Sequence, residues 1–405
     1  MTRPGPSLRL LAVAAAFAVA VVVATGEWAR SHEASVLAAL ALLAAVAVAA
    51  VWEHRSDRPF LGAAVGALAL FVVQIGVGGL VALGASGLGS VHVALGGASL
   101  TATVVAAALA FRRGEPVAAG SWRDYVTLTK PRIMSLLVLT GAGGLVLGSR
   151  GWPTPGLALA SLGGLALACG GASALNHVLD RDIDRLMGKR TEKRPVAAGR
   201  VAPGRALEFG LALMAVSFVL LTSLVNVLTA CLALLGGAFY VLVYTRWLKR
   251  ATPQNIVIGG AAGAVPPVVG WAAATGNLTL PALLLFLIVF FWTPPHFWAL
   301  ALLIRRNYEA AGVPMLPVIR GDAETARSIL RYSVVMVAIS LLPVAVRTVG
   351  VAYLVSAVVL GAAFLALAVA LVRETTPANA RRLFSYSLAY LALLFVALAV
   401  DPMVV

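Results

Sequence analysis

The sequence predicts an all-α polytopic membrane protein with about thirteen transmembrane helices. Of its 405 residues, 61% are hydrophobic and only 12% are charged, and the mean hydropathy is +0.95. About a quarter of the residues in a soluble domain are charged. The composition therefore excludes an ordinary soluble enzyme, a disordered regulator and a nucleic-acid-binding module.

The apolar residues are grouped into runs of spanning length. A helix needs about 20 apolar residues to cross roughly 30 Å of hydrocarbon, and the sequence lacks the ten-residue alternation of a membrane β-barrel. The predicted spans are 9–27, 34–52, 60–84, 91–111, 133–149, 156–178, 206–225, 227–244, 255–274, 278–303, 332–348, 351–372 and 384–402.

Basic residues predict the orientation of these spans. With the N-terminus inside, only Arg30, Arg150 and Arg347 among all Lys and Arg residues fall on outer segments. This asymmetry follows the positive-inside rule and predicts a multi-pass protein of the cell membrane with a cytoplasmic N-terminus. The first run also has features of a signal peptide, whose removal would not change the remaining topology.

Two inner segments, 179–205 and 304–331, are predicted as long polar loops, and such loops are usually functional. The first begins at the end of the sixth span with Asn176, Asp180 and Asp184, which are spaced four residues apart. This spacing places an amide and two carboxylates on one helix face and turns Asp182 away. Acidic side chains at membrane depth indicate function, and a carboxylate pair suits Mg²⁺ that also binds phosphate oxygens and water.

A cationic run follows these carboxylates and includes Lys193, Arg194 and Arg200. One interpretation is that the acids only pair with neighbouring basic residues on a solvated loop. The other is a diphosphate site, in which a metal neutralises some oxygens and Lys or Arg binds the rest. The combination of both features favours the diphosphate site.

The ends of the eighth and tenth spans carry further candidates. Tyr240 and Tyr244 lie four residues apart on one helix face, although tyrosines near a span end are also typical of the membrane interface. Lys249 and Arg250 are equally typical of the basic residues that flank a span on the cytoplasmic side. In the tenth span, His296 follows two prolines that are expected to kink a helix lining a cavity. Tryptophans on both sides of it, Trp292 and Trp298, leave a pocket role and a packing role both open.

Residues 122–403 resemble the haem O synthases (protohaem IX farnesyltransferases) of the intramembrane prenyltransferase superfamily. Five stretches in the same order carry the resemblance: Leu128–Arg132, Asn176–Asp184, Lys193–Arg200, Lys249–Gly260 and Trp292–Leu300. The superfamily typically has a second Asp-rich motif on a later inner loop. Here that loop offers Tyr244, Lys249 and Arg250 instead, which favours the haem branch over enzymes with quinone-type acceptors.

The resemblance implies a nine-helix fold with a cavity that opens to the cytoplasm. It implies transfer of the farnesyl group of farnesyl diphosphate to a vinyl group of haem b, giving haem O and diphosphate. Asn176, Asp180 and Asp184 would hold Mg²⁺, and these three with Lys249, Arg250 and Tyr244 would be catalytic. The substrate-binding residues would be Lys130, Arg132, Arg194, Tyr240, Asn255, Trp292 and His296.

Residues 1–111 lie outside this resemblance and are predicted to form a four-helix membrane bundle, followed by a cytoplasmic linker at 112–121 and the prenyltransferase domain at 122–405. The block from Leu80 to Gly96 resembles half of a haem A synthase. His32 and His92 could ligate the iron of haem b between facing helices. Alternatively, both are residues of the membrane interface with solvated side chains. Two interpretations of residues 1–111 are open. The region is either a domain that holds haem or delivers it, with a haem A synthase as a partner, or a degenerate remnant of such a domain.

A transporter is the alternative from another functional class, because thirteen spans would suit it. Transporters carry substrate sites near the bilayer midplane. Here the predicted spans lack ionisable side chains near their centres, and the acids lie at the inner mouth. This placement favours a membrane enzyme that draws a substrate with a soluble head from the cytoplasm. The resemblance implies that its partners are farnesyl diphosphate, haem b and the lipid bilayer, and no nucleic acid is expected.

Overall fold

The computed structural model describes residues 120–188 and 191–404, together with the isolated positions Ala67, Ala69 and Val73. This part of the chain is all-helical and contains nine helices that are long and apolar enough to cross a membrane. The predicted all-α membrane fold is thereby confirmed for residues 120–404. The four N-terminal spans, His32, His92 and nearly all of the linker at 112–121 lie outside the described residues.

Twelve helices are labelled here in chain order along the described residues. They are α1 (Trp122–Leu128), α2 (Pro131–Ser149), α3 (Pro155–Leu179), α4 (Arg181–Leu186), α5 (Pro203–Leu224), α6 (Val227–Ala251, with a π-helix at Phe239–Leu248), α7 (Asn255–Thr275), α8 (Leu280–Leu303), α9 (Arg305–Ala310), α10 (Leu316–Ala345), α11 (Val351–Arg373) and α12 (Pro377–Val404).

Proline marks the start of several of these helices. Pro131, Pro155, Pro203 and Pro377 each occupy the first position, where the missing N–H costs no hydrogen bond and the fixed φ suits the helix. At α3 the Thr154 hydroxyl also accepts a hydrogen bond from the Leu157 N–H. The first three of these helices start within three residues of the predicted spans, whereas the helix at Pro377 starts seven residues before the span predicted at 384.

One predicted loop is largely helical in the structure. Residues 304–331 were expected to be a polar loop, but α9 occupies its first part and α10 begins at Leu316. Hydropathy finds only the apolar part of a helix, so the polar turns of α10 fall outside the predicted span. A break at Gly321, where φ is +77°, separates the first turn of α10 from the rest.

Helices α2 and α7 approach each other most closely far from the carboxylates. A Cβ at Gly144 would lie 2.0 Å from the carbonyl oxygen of Pro267, so this glycine allows the two backbones to touch. Helix α12 packs on both α2 and α8, and α7 packs on α8. Backbone contact therefore packs this end of the group closely, away from the carboxylates.

We expect Gly144→Ala to destabilise the protein, because the added methyl group meets rigid backbone of α7. Overpacking of this kind costs about 1–3 kcal/mol or more. The effect is a lower thermal unfolding midpoint in detergent. Gly156→Ala is the control, since no heavy atom lies within 4 Å of a Cβ there; equal midpoints for the two variants would contradict the close approach.

Candidate active site

The three residues spaced by four at the end of α3 lie on one continuous stripe. The N–H of Asp180 bonds to the carbonyl of Asn176 at 2.9 Å, and the N–H of Asp184 bonds to that of Asp180 at 2.8 Å. Helical bonding therefore continues from α3 into α4. All three side chains are buried, each with at most 2% of its surface exposed.

Asp180 is held by two donors on one carboxylate oxygen. Its Oδ2 accepts hydrogen bonds from Lys249 Nζ at 2.5 Å and from Asn176 Nδ2 at 2.8 Å. Its Oδ1 is buried and makes no hydrogen bond. A buried oxygen without a hydrogen-bond partner destabilises the folded protein. The position of Oδ1 therefore suits a bound cation or a hydrogen-bond donor of a ligand.

Asp184 repeats this pattern with a different cation. Its Oδ1 accepts a hydrogen bond from the Arg194 guanidinium at 2.6 Å, while its Oδ2 is buried without a partner. Burial raises the pKa of the Asp184 carboxyl, although Arg194 acts in the opposite direction. A further cation at Oδ2 would favour the ionised form of this side chain.

Asn176 joins Asp180 to a second lysine. Its Oδ1 accepts a hydrogen bond from Lys130 Nζ at 2.7 Å, and its Nδ2 also donates to Thr245 Oγ1 at 3.1 Å. Lys130 precedes a proline and has φ of +50°, an uncommon conformation for a residue other than glycine. Burial and the nearby Arg194 lower the pKa of Lys130 to about 7.

The two unpartnered carboxylate oxygens fit a hard divalent cation. The described residues contain no group of three His, Cys, Asp or Glu side chains that could enclose a metal. An ion on Asp180 and Asp184 would therefore need water and substrate oxygens to complete its shell, as Mg²⁺ does. Asn176 departs from the expected ligand set, because Lys130 occupies its side-chain oxygen and its NH₂ group holds Asp180.

Adjacent residues Lys249 and Arg250 point to different carboxylates. Lys249 reaches the buried Asp180, whereas Arg250 makes two hydrogen bonds, at 2.6 and 2.7 Å, to Asp182 on the exposed side. This bond to Arg250 lowers the pKa of Asp182 below its usual range. Arg250 thus contacts Asp182 rather than the buried carboxylate pair, and its catalytic role stays a prediction.

Arg132 and Asn255 are also placed apart from the carboxylate contacts. Arg132 lies exposed in the first turn of α2, although the neighbouring Lys130 turns inward. Asn255 is fully buried at the start of α7, where its amide donates to the Thr252 carbonyl at 2.6 Å. No hydrogen bond joins either side chain to Asp180 or Asp184. The Oδ1 of Asn255 is buried without a partner, and the substrate-binding role of this residue stays a prediction.

The π-helical part of α6 brings two tyrosine rings together. The rings of Tyr240 and Tyr244 stack with centroids 5.6 Å apart and an interplanar angle of 22°. A Cβ at Gly259 would lie 2.3 Å from the Tyr244 ring, so only glycine lets this ring lie against α7. Single π-helical turns are frequent at functional sites, and this one positions the aromatic pair that the sequence singled out.

The last candidates, Trp292 and His296, lie on α8 against α12. Their rings stack at 4.4 Å, and both reach Ser387: Trp292 Nε1 donates to its carbonyl at 2.8 Å, and His296 Nδ1 lies 2.7 Å from its hydroxyl. Trp292 and Tyr244 belong to the same apolar cluster. The structure thus links the two aromatic groups through one core.

Several residues of this region were missed by the sequence reasoning. Thr245 holds Asn176, and Ser387 holds Trp292 and His296. The amide of Asn307 donates to the Met187 carbonyl at 2.6 Å, which ties α9 to the carboxylate loop. Burial raises the pKa of Tyr308 to about 12. Arg194 opposes this shift, and Asp180 adds to it. No spacing pattern in the sequence predicts contacts between residues so far apart in the chain.

Comparison with known proteins identifies the family. Residues 136–397 match the UbiA prenyltransferase family. The chain belongs to this family. The match confirms the predicted intramembrane prenyltransferase, and the metal-binding role of the two carboxylates stays a prediction.

Curated relatives extend the match. A protein named protoheme IX farnesyltransferase from Roseiflexus sp. (strain RS-1) is 45% identical over 93% of this chain and 76% of its own length. One of the same name from Symbiobacterium thermophilum is 52% identical over 69% of this chain and 94% of its own length. Protoheme IX farnesyltransferase 1 of Pseudomonas fluorescens (strain Pf0-1) is 50% identical over 71% of this chain and 96% of its own length.

Solved structures share the fold at low identity. A digeranylgeranylglyceryl phosphate synthase superimposes with a TM-score of 0.59 at 19% identity, covering 70% of this chain and 99% of its own. A UbiA homologue from Aeropyrum pernix K1 gives a TM-score of 0.53 at 23% identity, with 67% and 98% covered. These two likenesses support the nine-helix architecture of the prenyltransferase.

We expect Lys249→Met to destabilise the enzyme strongly, because it leaves the buried Asp180 charge without its cation. Breaking a buried pair in this way costs about 3–5 kcal/mol. Arg250→Met, which breaks the exposed pair with Asp182, should cost about 1 kcal/mol or less. Thermal unfolding in detergent measures both, and similar losses would contradict the assigned burial.

Proposed function

We propose that the protein transfers the farnesyl group of farnesyl diphosphate to a vinyl group of haem b, giving haem O and diphosphate. The observation that carries the proposal is the pair of buried carboxylate oxygens, Asp180 Oδ1 and Asp184 Oδ2, that have no partner. The names of the curated relatives support the farnesyl donor and the haem acceptor, and they favour this enzyme over a transporter or a quinone-type prenyltransferase.

The charged residues of the site suit a diphosphate leaving group. Lys249 and Arg194 each hold one oxygen of a carboxylate, which leaves the other oxygen of each free to bind a metal ion. Mg²⁺, when bound there, neutralises the negative charge of the diphosphate. The same two cations and Lys130 stabilise the charge that develops on the departing oxygens.

The aromatic residues suit the other end of the donor. The stacked rings of Tyr240 and Tyr244 offer π faces that attract an allylic cation by about 0.5–2 kcal/mol. Their position on α6, beside Lys249, lets diphosphate and farnesyl group bind at neighbouring parts of one helix. Trp292 and His296, which pack on α12, are the residues proposed to bind the acceptor. Arg132 is exposed, whereas the buried Oδ1 of Asn255 is free to accept a hydrogen bond from a substrate.

The proposed membrane placement is a multi-pass protein of the cell membrane with its N-terminus and active site on the cytoplasmic side. Its support is the concentration of Lys and Arg on the segments at the carboxylate end of the helices. A cytoplasmic opening would admit a substrate with a charged, soluble head. The prenyl tail would then lie among the apolar helices.

For residues 1–111 we propose a separable membrane domain joined through the linker at 112–121. The Roseiflexus relative aligns over 93% of the chain, so its similarity extends into this region, whereas the Symbiobacterium relative matches 69% of the chain with 94% of its own length. Binding of haem b through His32 and His92 and delivery of product to a haem A synthase are proposals that rest on the sequence.

We expect Asp180→Asn to abolish farnesyl transfer, because it removes a charge from the proposed metal and diphosphate site. Membranes containing the full chain would be incubated with haem b, farnesyl diphosphate and Mg²⁺, and the heavier haem would be sought by mass spectrometry. Asp182→Asn is the matched control on the exposed side and should keep most activity. Full activity of Asp180→Asn would refute the proposed function of the site.

Removal of divalent ions should stop the same reaction. We expect a chelator to abolish haem O formation and added Mg²⁺ to restore it, since Lys249, Arg194 and Lys130 alone leave the two carboxylates to repel the diphosphate. The measurement is product yield against free Mg²⁺ concentration. Undiminished turnover in chelator would show that the carboxylates serve no metal.

A further inference from the structure

The imidazole of His296 is held more firmly than packing alone requires. Trp292 stacks on it with a centroid distance of 4.4 Å and an angle of 15°, and Phe384 stacks on it at 4.9 Å and 23°. Its Nδ1 lies 2.7 Å from the hydroxyl oxygen of Ser387. Rotation of the ring is therefore blocked on both faces and at one nitrogen.

The hydrogen bonds of Ser387 determine which nitrogen of His296 carries the proton. The Ser387 hydroxyl has a single hydrogen, which it donates to the Phe384 carbonyl at 2.7 Å. Its oxygen can then only accept from the histidine. Both hydrogen bonds of Ser387 form together only when Nδ1 of His296 carries a proton. In the neutral ring Nε2 then holds a free electron pair.

A fixed, neutral imidazole with one nitrogen donating to the protein is the usual arrangement of a histidine that binds a metal. No hydrogen bond of the described residues uses Nε2 of His296. Phe297 also contacts the ring edge-on, at 5.2 Å and 85°. The residue nevertheless keeps 7% of its surface exposed, and its Nε2, unlike both nitrogens of His177, is not fully buried without a partner, so the Nε2 edge is accessible. This edge can take an electron-pair acceptor.

The position of His296 suits the acceptor rather than the diphosphate. It lies seven residues before the end of α8 at Leu303, about 10 Å along the helix from its polar end. On the same helix, Thr293 borders Gly260, and the adjacent Gly259 borders the Tyr244 ring. A flat ligand held at His296 would thus lie deeper than the carboxylates and beside the tyrosine pair.

We propose that His296 Nε2 is an axial ligand to the iron of the haem acceptor and that Ser387 is the positioning residue that fixes its tautomer. The inference rests on the proposed function, because haem b is the acceptor assigned there. Iron coordination would fix the porphyrin by its centre and leave the vinyl groups at its edge free to meet the farnesyl group.

The test uses the full chain in detergent with His32→Gln, His54→Gln and His92→Gln as the parent, so that none of the three histidines of residues 1–111 contributes a haem signal. Ferric haem b is titrated in and followed by absorbance and electron paramagnetic resonance. The parent should show histidine-ligated iron, and His296→Gln should lose this signature. His177→Gln, which alters the other buried histidine of the described residues, should keep it.

Two further variants separate ligation from folding. Imidazole added to His296→Gly should restore the signature if the protein is folded and the iron site is intact. Ser387→Ala should weaken haem affinity about tenfold, as loss of a partner behind a metal ligand commonly does, whereas Ser387→Thr keeps the hydroxyl and should bind almost normally.

The proposal is overturned if the parent shows no histidine ligation, if His296→Gln leaves the spectrum unchanged, or if His177→Gln removes the signature instead. It is also overturned if imidazole fails to restore the signature in a folded His296→Gly protein. Haem O formation by the same parent is measured separately by mass spectrometry. A parent that forms haem O with an unchanged His296→Gln spectrum would retain the proposed function and refute only the iron ligand.

Discussion

The structure depends on two carboxylates that are buried and only half satisfied. Asp180 and Asp184 each give one oxygen to a cationic side chain and keep the other without a partner. Buried charge is stable only when paired and hydrogen-bonded, so Lys249 and Arg194 are needed even before substrate binds. The remaining oxygens define where a ligand of the site must lie.

The rest of the fold brings distant segments to these carboxylates. Lys130 comes from the turn before α2, Lys249 from the end of α6, and Arg194 from the loop after α4. At the opposite end, contact at Gly144 brings α2 against α7, so the buried ion pairs of the site lie at one end and close backbone packing at the other. This asymmetry suits an enzyme whose substrate has a charged head and a long apolar tail.

Sequence patterns predicted the spans and the carboxylate stripe, because hydropathy and a spacing of four depend only on neighbouring residues. They could not predict contacts across the fold. Whether Lys249 or Arg250 turns inward depends on the π-helical turns of α6, and the hydrogen bond between His296 and Ser387 joins positions 91 residues apart. The polar start of α10 was missed because charge ends a hydropathy run although helical bonding continues.

The most direct test of the central claim is electron paramagnetic resonance of Mn²⁺, which accepts the same oxygen ligands as Mg²⁺. It would be added to the purified protein together with inorganic diphosphate. We expect one bound ion per chain with the wild type and with Asp182→Asn, and none with Asp184→Asn. Equal binding by all three proteins, or Mn²⁺ that stays free in solution, would contradict a metal held by the buried carboxylates.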